Sequence, residues 1–443
     1  MKPIFYRWVS NLNLQFALFI SNILQRLLRF VLLWHLLIFL KAGDLTKDSR
    51  IFLAVSSFFR RTDKLLWLLM LTISTFSLIL LKSVSRAMNT DYFKTQLVVT
   101  VAGLLAALVL SFIDYESIAS FWYLIAGFSV FIMLYTMFFG ISVQGSEGVN
   151  ARAWISLAGR TFQTSELVKI CFMLTYAKHI SVLRVQNKIN HPLHVVLLAL
   201  HAAVPVLLCH VQGDDGAAIV FFFMFLCMSL GGGVQLRYFI LLGALVAVSV
   251  PVLWKFVLSE YQIKRFTSVY NLDDPSIRLN EGYQQVQGRI SIGSGQLTGK
   301  GLFNGPRVET NLVTFQHSDF IFSVAGEELG FIGCTAIIVL LLLYLLRVLY
   351  IASKARDDLG RCMCFGFFGL IALQSVSNIG MCLALLPVMG VTLPFFSAGG
   401  SSAVCLYLGF GLIQSVYMRR PDANVPHLRS TRTLKMNFRK LNA

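Results

Sequence analysis

Three carboxylates lie at the start of a long apolar run. The stretch HSDFIFSVAGEELGF places Asp319, Glu327 and Glu328 directly before or just inside the run 320–346. A carboxylate at a membrane edge is costly to desolvate, and burial raises its pKa toward values that suit acid–base chemistry. If a helix begins at Asp319, Glu327 points into the helical bundle. A role for Asp319 as a helix N-cap is the structural alternative.

Two other stretches concentrate ionisable residues. In NARAWISLAGRTFQTSELVK, Arg152 precedes Glu166 and Lys169, which are three residues apart and can pair on one helix face. In HVQGDDGAAIV, Asp214 and Asp215 occupy a tight turn. Asp and Gly are common in turns for structural reasons, and oxygen ligands for Mg²⁺ or Mn²⁺ are the alternative. No metal ligand is assigned, and a divalent cation stays the only candidate cofactor.

Two further stretches are rich in glycine or serine. EGYQQVQGRISIGSGQLTGKGL contains Lys300, and its glycines let a backbone approach a ligand. The stretch LPVMGVTLPFFSAGGSS contains the candidate substrate-binding residues Ser397 and Ser401. Broken backbone at membrane depth is tolerated where it lines a cavity or lies within protein. The alternatives are a flexible loop for the first stretch and a simple outer loop for the second.

The chain that positions these residues is strongly apolar. Of 443 residues, 56% are hydrophobic and 13% are charged, and the mean hydropathy is +0.70. A soluble domain carries about 25% charged residues, so the composition indicates a polytopic membrane protein. The net charge of +17 does not indicate nucleic-acid binding, because the basic residues lie in short loops and the tail. The eight cysteines form no CxxC pair, which argues against a disulfide framework or a zinc site.

Hydropathy predicts an all-α transmembrane bundle of about ten spans. The basic clusters between the spans are consistent with one topology, in which both ends of the core domain are cytoplasmic. A large extracytoplasmic loop, 259–319, then contains Arg265. The predicted spans are 65–81, 97–113, 121–139, 167–182, 194–210, 217–230, 239–258, 320–346, 363–386 and 403–417.

Two terminal regions flank the predicted core domain, 56–420. Residues 1–55 form an N-terminal extension, in which 14–40 is apolar but interrupted by arginines. We expect an interfacial amphipathic helix there, with one additional span as the alternative. Residues 421–443 form a basic cytoplasmic tail that is attracted to anionic membrane lipids.

Together, these stretches resemble the SEDS family of RodA, FtsW and SpoVE peptidoglycan glycosyltransferases over about residues 55–420. The specific blocks are IGSGQLTGKGL, QHSDFIFSVAGEELGFIG and LPVMGVTLPFFSAGGSS, and weaker ones are ARAWISLAG, QTSELVK and QGDDGAAIV. SFIDYESI looks more like the RodA branch than the FtsW branch. The chain departs from the family pattern at Thr164, Asp215, Gln296, Gln316 and Ala398.

The resemblance implies a membrane enzyme that polymerises lipid II on the outer face of the bacterial cytoplasmic membrane, for cell elongation or shape. It implies Asp319 as the catalytic carboxylate of an inverting transfer. Family positions that line or shape the cavity match Arg152, Glu166, Lys169 and Lys300. The implied partner is a class B penicillin-binding protein, a single-span transpeptidase. A lipid II flippase, a non-catalytic scaffold and a secondary transporter are the alternatives.

The remaining expectations concern the groups around Asp319. A pyrophosphate leaving group needs positive charge, and Arg265 is a further outer-face candidate for that role. Glu327 and Glu328 are expected to hold their helix and its neighbours in place rather than to react.

Overall fold

The computed structural model describes residues 58, 60–141, 152–157, 160–256 and 260–421. The described residues from Thr62 onward form one compact unit. The predicted N-terminal extension and the tail beyond Pro421 lie outside the described residues. The expectations for both termini therefore stay predictions.

The described chain is almost entirely helical, with one two-stranded antiparallel sheet that pairs Trp154 with Gln163. The elements, in chain order, are α1 (Lys64–Met88), α2 (Tyr92–Phe112), α3 (Tyr115–Ser120), α4 (Trp122–Phe139), β1 (Trp154–Leu157), β2 (Arg160–Gln163), α5 (Thr164–Val185), α6 (Pro192–Val211), α7 (Asp215–Gly232), α8 (Leu236–Phe256), α9 (Glu260–Ser268), α10 (Pro275–Leu279), α11 (Tyr283–Ser294), α12 (Pro306–Glu309), α13 (Ile321–Lys354), α14 (Asp358–Cys382) and α15 (Gly400–Met418).

Long apolar helices confirm the predicted transmembrane bundle. Within the described ranges, nine helices are long and apolar enough to cross a membrane. The helix α5 is outside that group and carries Glu166, Lys169, Lys178 and Arg184. It packs inside the bundle against α14, whereas α4, α6 and α8 expose large apolar side chains such as Phe131, Leu207 and Val248. The chain is therefore a multi-pass membrane protein in which α5, α14 and α15 are central.

Small residues allow the central helices to pack closely. A side chain at Gly103 of α2 would overlap the ring of Tyr407 on α15, and one at Gly411 would overlap the backbone at Ala107. Ser74 of α1 and the Tyr407 hydroxyl are 2.8 Å apart and share a hydrogen bond. In membranes, close van der Waals contact and such interhelical hydrogen bonds hold helices together. These contacts fix α15 against α1 and α2.

The helix α13 is broken at Gly330, which has φ 65° and ψ −160°. The glycine-rich segment after α11 closes the break with its own backbone. Lys300 N donates to Glu327 O at 2.9 Å, and Phe331 N donates to Gln296 O at 2.8 Å. Groups that a continuous helix would satisfy internally are thus bonded to the segment 295–301. Gly295 and Gly299 approach the backbone of α13 closely, and the approach of a ligand to this stretch stays a prediction.

Gly299 makes one of the close contacts between the segment 295–301 and α13. Its φ is +81°, and a Cβ there would overlap the carbonyl oxygen of Glu328. We expect Gly299→Ala to lower the free energy of unfolding by about 1–3 kcal/mol, the usual cost of a left-handed non-glycine residue. Thermal unfolding in detergent measures the effect. Gly293→Ala is the matched control, since no atom lies within 4 Å of its added Cβ. Equal melting temperatures for the two variants would contradict this account of the break.

The region 259–319 is not a structureless loop. Its described residues form α9, α10, α11 and α12, and α11 packs against α13. The sequence analysis did not predict these short helices, because the segment is polar and rich in glycine, and the large extracytoplasmic loop stays a prediction. The side of the membrane on which the region lies stays a prediction.

Candidate active site

Asp319 lies in a turn whose backbone is held from two directions. The carbonyl oxygens of three successive residues accept hydrogen bonds: His317 O from Ala398 N at 2.8 Å, Ser318 O from the Ser397 hydroxyl at 2.6 Å, and Asp319 O from Asn378 Nδ2 at 2.8 Å. Asn378 Nδ2 also donates to Val391 O at 2.8 Å. These bonds position the acidic residue without using its carboxylate.

The N-cap alternative for Asp319 does not hold. The residue that caps α13 is Phe320, and no side chain makes a capping hydrogen bond there. The carboxylate of Asp319 is therefore not bound to the helix terminus, and a structural role as a cap does not explain this residue.

Burial changes the acid–base properties of Asp319. The side chain is half-buried, and desolvation raises its pKa from 3.8 to about 6. A hydrogen bond from Ser318 and the positive charge of Arg265 act in the opposite direction. At neutral pH the group is still mostly ionised, and it is a stronger base than an exposed aspartate.

Two residues that the sequence analysis missed lie beside Asp319. His317 stacks on Tyr92 with ring centroids 4.0 Å apart and planes at 8°. Burial lowers the pKa of His317 to about 4, so the ring is neutral at pH 7. The neutral ring supplies no positive charge beside Asp319. Asn378 is the other missed residue, and only its position on α14 reveals its contact with Asp319.

The segment between α14 and α15 is non-helical from 383 to 399, as predicted for a broken segment. Ser397 is part of its internal scaffold. Its hydroxyl accepts from Leu393 N at 2.8 Å and donates to Ser318 O. Ser401 is buried in the first turn of α15. Ser397 thus supports the Asp319 turn, and substrate contact by either serine stays a prediction.

Glu166 and Lys169 form the predicted ion pair, with Lys169 Nζ 2.7 Å from Glu166 Oε1. Both side chains are buried, at 6% and 2% exposure. Their charges act on Cys209 of α6 and Cys405 of α15, so the pair lies between three helices. It is placed to brace the interior of the bundle, and direct substrate binding stays a prediction.

Asp214 and Asp215 have separate structural partners. Asp214 accepts from Gln163 at 2.8 Å, from Ser165 at 3.0 Å and from Ala217 N at 3.1 Å. Asp215 is the partner of His210 at 2.6 Å and of a glutamine on α9 at 2.7 Å.

This arrangement does not fit a cation. Each of the four carboxylate oxygens already has a protein partner. Among the described residues, no three Asp, Glu, His or Cys side chains converge as metal ligands.

The predicted cationic residues do not all converge. Arg265 on α9 is close enough for its charge to act on Asp319. Lys300 is exposed, and its charge acts on Glu327. Arg152 is exposed beside Phe138 and Phe139 at the end of α4, where they line an open cavity of about 460 Å³. Of the three, Arg265 is the one whose positive charge lowers the pKa of Asp319.

Glu327 and Glu328 are fully buried and bind neighbouring elements. Glu327 accepts from Arg307 N at 2.8 Å, which ties α13 to α12. Glu328 accepts from the Ser83 hydroxyl of α1, beside a cavity of about 230 Å³ that Phe303 also lines. These contacts agree with the expected positioning role of both residues.

Comparison with known proteins identifies a family. The family model FTSW_RODA_SPOVE, described as "Cell cycle protein", matches residues 62–421. The chain is 34% identical to the Escherichia coli K12 peptidoglycan glycosyltransferase MrdB over 293 residues, which is 66% of this chain and 77% of MrdB. It is 30% identical to the probable peptidoglycan glycosyltransferase FtsW of Geobacter sulfurreducens over 378 residues, which is 82% of this chain and 97% of that protein.

Two solved structures share the fold. One comes from a peptidoglycan synthase complex that coordinates polymerisation and crosslinking, with a TM-score of 0.67, 27% identity and coverage of 80% of this chain and 97% of that chain. The other is the Thermus thermophilus rod shape determining protein RodA, with a TM-score of 0.60, 26% identity and coverage of 82% and 98%.

Proposed function

The chain belongs to the FtsW/RodA/SpoVE family, and on that premise we propose that it is a peptidoglycan glycosyltransferase that polymerises lipid II into glycan strands. The main support for the proposal is Asp319. Its turn is held in place by hydrogen bonds to the backbone, its carboxylate is half-buried, and its pKa is raised to about 6. The relatives MrdB and FtsW are named peptidoglycan glycosyltransferases.

Asp319 acts as the general base of an inverting transfer. Its carboxylate takes the proton of the acceptor 4-hydroxyl while that oxygen bonds to the anomeric carbon of the donor sugar. The bond from that carbon to the pyrophosphate oxygen breaks, and the pyrophosphate keeps the electron pair. One displacement inverts an α-linked donor to a β-1,4 product, so no covalent enzyme intermediate is required.

The leaving pyrophosphate needs positive charge where its negative charge develops. Arg265 is the first candidate for this contact, because its positive charge lowers the pKa of Asp319. Arg152 and Lys300 are exposed and would reach the pyrophosphate from other directions. The broken segment 383–399 supports the Asp319 turn from the bundle side and would border the groove for the lipid tail.

The location and partner follow from the same proposal. With both ends of the core in the cytoplasm, Asp319 faces the outer side of the bacterial cytoplasmic membrane, where lipid II is consumed. A class B penicillin-binding protein would crosslink the strands, and the solved peptidoglycan synthase complex supports such a pairing. A role in cell elongation or shape is favoured by the likeness of SFIDYESI to the RodA branch and by the shared fold with a rod shape determining protein.

The test is polymerisation by the purified full-length chain. Lipid II is supplied in detergent, with and without a class B penicillin-binding protein, and the products are separated by length. We expect glycan strands of many disaccharide units. If neither preparation yields strands while transbilayer movement of lipid II is accelerated in proteoliposomes, the flippase alternative is correct. If neither activity is found, the scaffold alternative is correct.

The pH dependence tests the base directly. A general base must be deprotonated, so kcat/KM is expected to fall as pH is lowered through about 6, the pKa of Asp319. The measurement is the initial rate of strand synthesis at low lipid II concentration from pH 4.5 to 8. An acidic limb near pH 4, the value of an exposed aspartate, would show that the desolvated carboxylate is not the base.

A further inference from the structure

Asp215 is an acidic residue that the proposed mechanism does not use. The turn GDDG contains two adjacent carboxylates, Asp214 and Asp215. Asp214 occupies the family Asp position and caps α7 through Ala217 N at 3.1 Å. The cap is therefore complete without Asp215, whose carboxylate is half-exposed and directed elsewhere.

The carboxylate of Asp215 joins two other helices. Its Oδ1 is 2.6 Å from His210 Nδ1, in the last turn of α6. Its Oδ2 accepts a hydrogen bond from Gln262 Nε2 at 2.7 Å, on α9. Gln262 is 47 residues away in sequence, so this is a tertiary contact and not part of the turn.

The contact with α9 leads to the Asp319 site. Arg265 lies three residues after Gln262, and residues three apart share one face of a helix. The charge of Arg265 in turn acts on Asp319. A hydrogen bond at Gln262 therefore restrains the helix face that presents Arg265.

We propose that Asp215, braced by His210, is a positioning residue that holds α9 through Gln262 so that Arg265 faces Asp319 and the pyrophosphate of the donor. This inference rests on the proposed function and adds a residue that the proposed mechanism leaves unused. Asp215 touches neither substrate nor Asp319, and it acts through Arg265.

A positioning role and a purely electrostatic role of Asp215 predict opposite shifts of the Asp319 pKa. If Asp215 acted only through its own charge, its removal would take away a negative charge and lower the pKa of Asp319. If it positions Arg265, its removal moves a positive charge away and raises that pKa. The other titratable side chains beside Asp319 are His317 in the same turn and Cys382 on α14, and neither contacts Asp215. The direction of the shift therefore separates the two accounts.

The experiment compares Asp215→Leu, which removes the carboxylate, with Arg265→Ala and the double variant, using lipid II polymerisation from pH 4.5 to 8. We expect kcat/KM to fall about 10-fold in Asp215→Leu, the scale of one hydrogen bond to a charged group. We expect its acidic limb to move to higher pH, as in Arg265→Ala, and the double variant to add little to Arg265→Ala. Asp273→Asn removes an exposed charge from the same region and is the control, with no expected change.

Two outcomes would overturn the positioning role. One is an acidic limb of the pH profile that moves to lower pH in Asp215→Leu. The other is a double variant whose loss of kcat/KM equals the product of the losses in Asp215→Leu and Arg265→Ala. Hydrogen exchange gives a readout that needs no activity: Asp215→Leu should increase exchange of the backbone amides of α9 but not of α11. Unchanged exchange in α9 would also overturn the proposal. Failure of the wild type to polymerise lipid II counts against the proposed function, while the exchange result still decides whether Asp215 holds α9.

Discussion

Replacing Asp319 by asparagine is expected to lower kcat for glycan polymerisation by about 10²–10⁴-fold, the usual contribution of general acid–base catalysis. The amide cannot take the proton of the acceptor hydroxyl. The three hydrogen bonds that position the turn use backbone carbonyls, so the substitution leaves them in place. The KM for lipid II is expected to change little, because the lost interaction belongs to the transition state.

Stability distinguishes a lost base from a damaged fold. Asparagine removes a carboxylate whose charged form is disfavoured by burial, so the melting temperature is expected to be unchanged or higher. Asn378→Leu is the contrasting variant, since it removes the donor to Asp319 O and to Val391 O and should lower both activity and melting temperature. Wild-type kcat in a folded Asp319→Asn protein would remove this residue from the mechanism.

Breaking the ion pair inside α5 is expected to have the largest effect on stability. Lys169→Met leaves Glu166 buried without its partner, which costs about 3–5 kcal/mol of the free energy of unfolding. The measurement is reversible unfolding in mixed micelles. The double variant Glu166→Gln/Lys169→Met removes both charges and should recover most of the loss.

The double variant also tests the predicted substrate-binding role of the pair. If it recovers both stability and polymerisation, the pair braces the helices and does not bind substrate. If it recovers stability and stays inactive, Glu166 or Lys169 acts on the substrate. Lys94→Met breaks the exposed pair with Asp91 and is the control, with stability expected to match the wild type. A single variant Lys169→Met as stable as the control would contradict the burial argument.

Several features of this protein were determined by local sequence. Runs of apolar residues predicted ten long helices, because a membrane span needs its apolar residues in one continuous stretch. The spacing of Glu166 and Lys169 predicted their pairing, because residues three apart are neighbours on any helix. The position of Asp319 directly before the first residue of an apolar run predicted a partly desolvated carboxylate.

Contacts between distant segments were decided only by the tertiary structure. Sequence did not reveal that Ser397 supports Ser318 from 79 residues away, or that Asp215 holds Gln262. It also did not reveal the break at Gly330, since that left-handed residue is tolerated only because the backbone of 295–301 bonds to both sides of it. Hydropathy and spacing describe one segment at a time. Which polar group meets which across the bundle depends on how the helices pack, because each buried donor and acceptor must find its partner there.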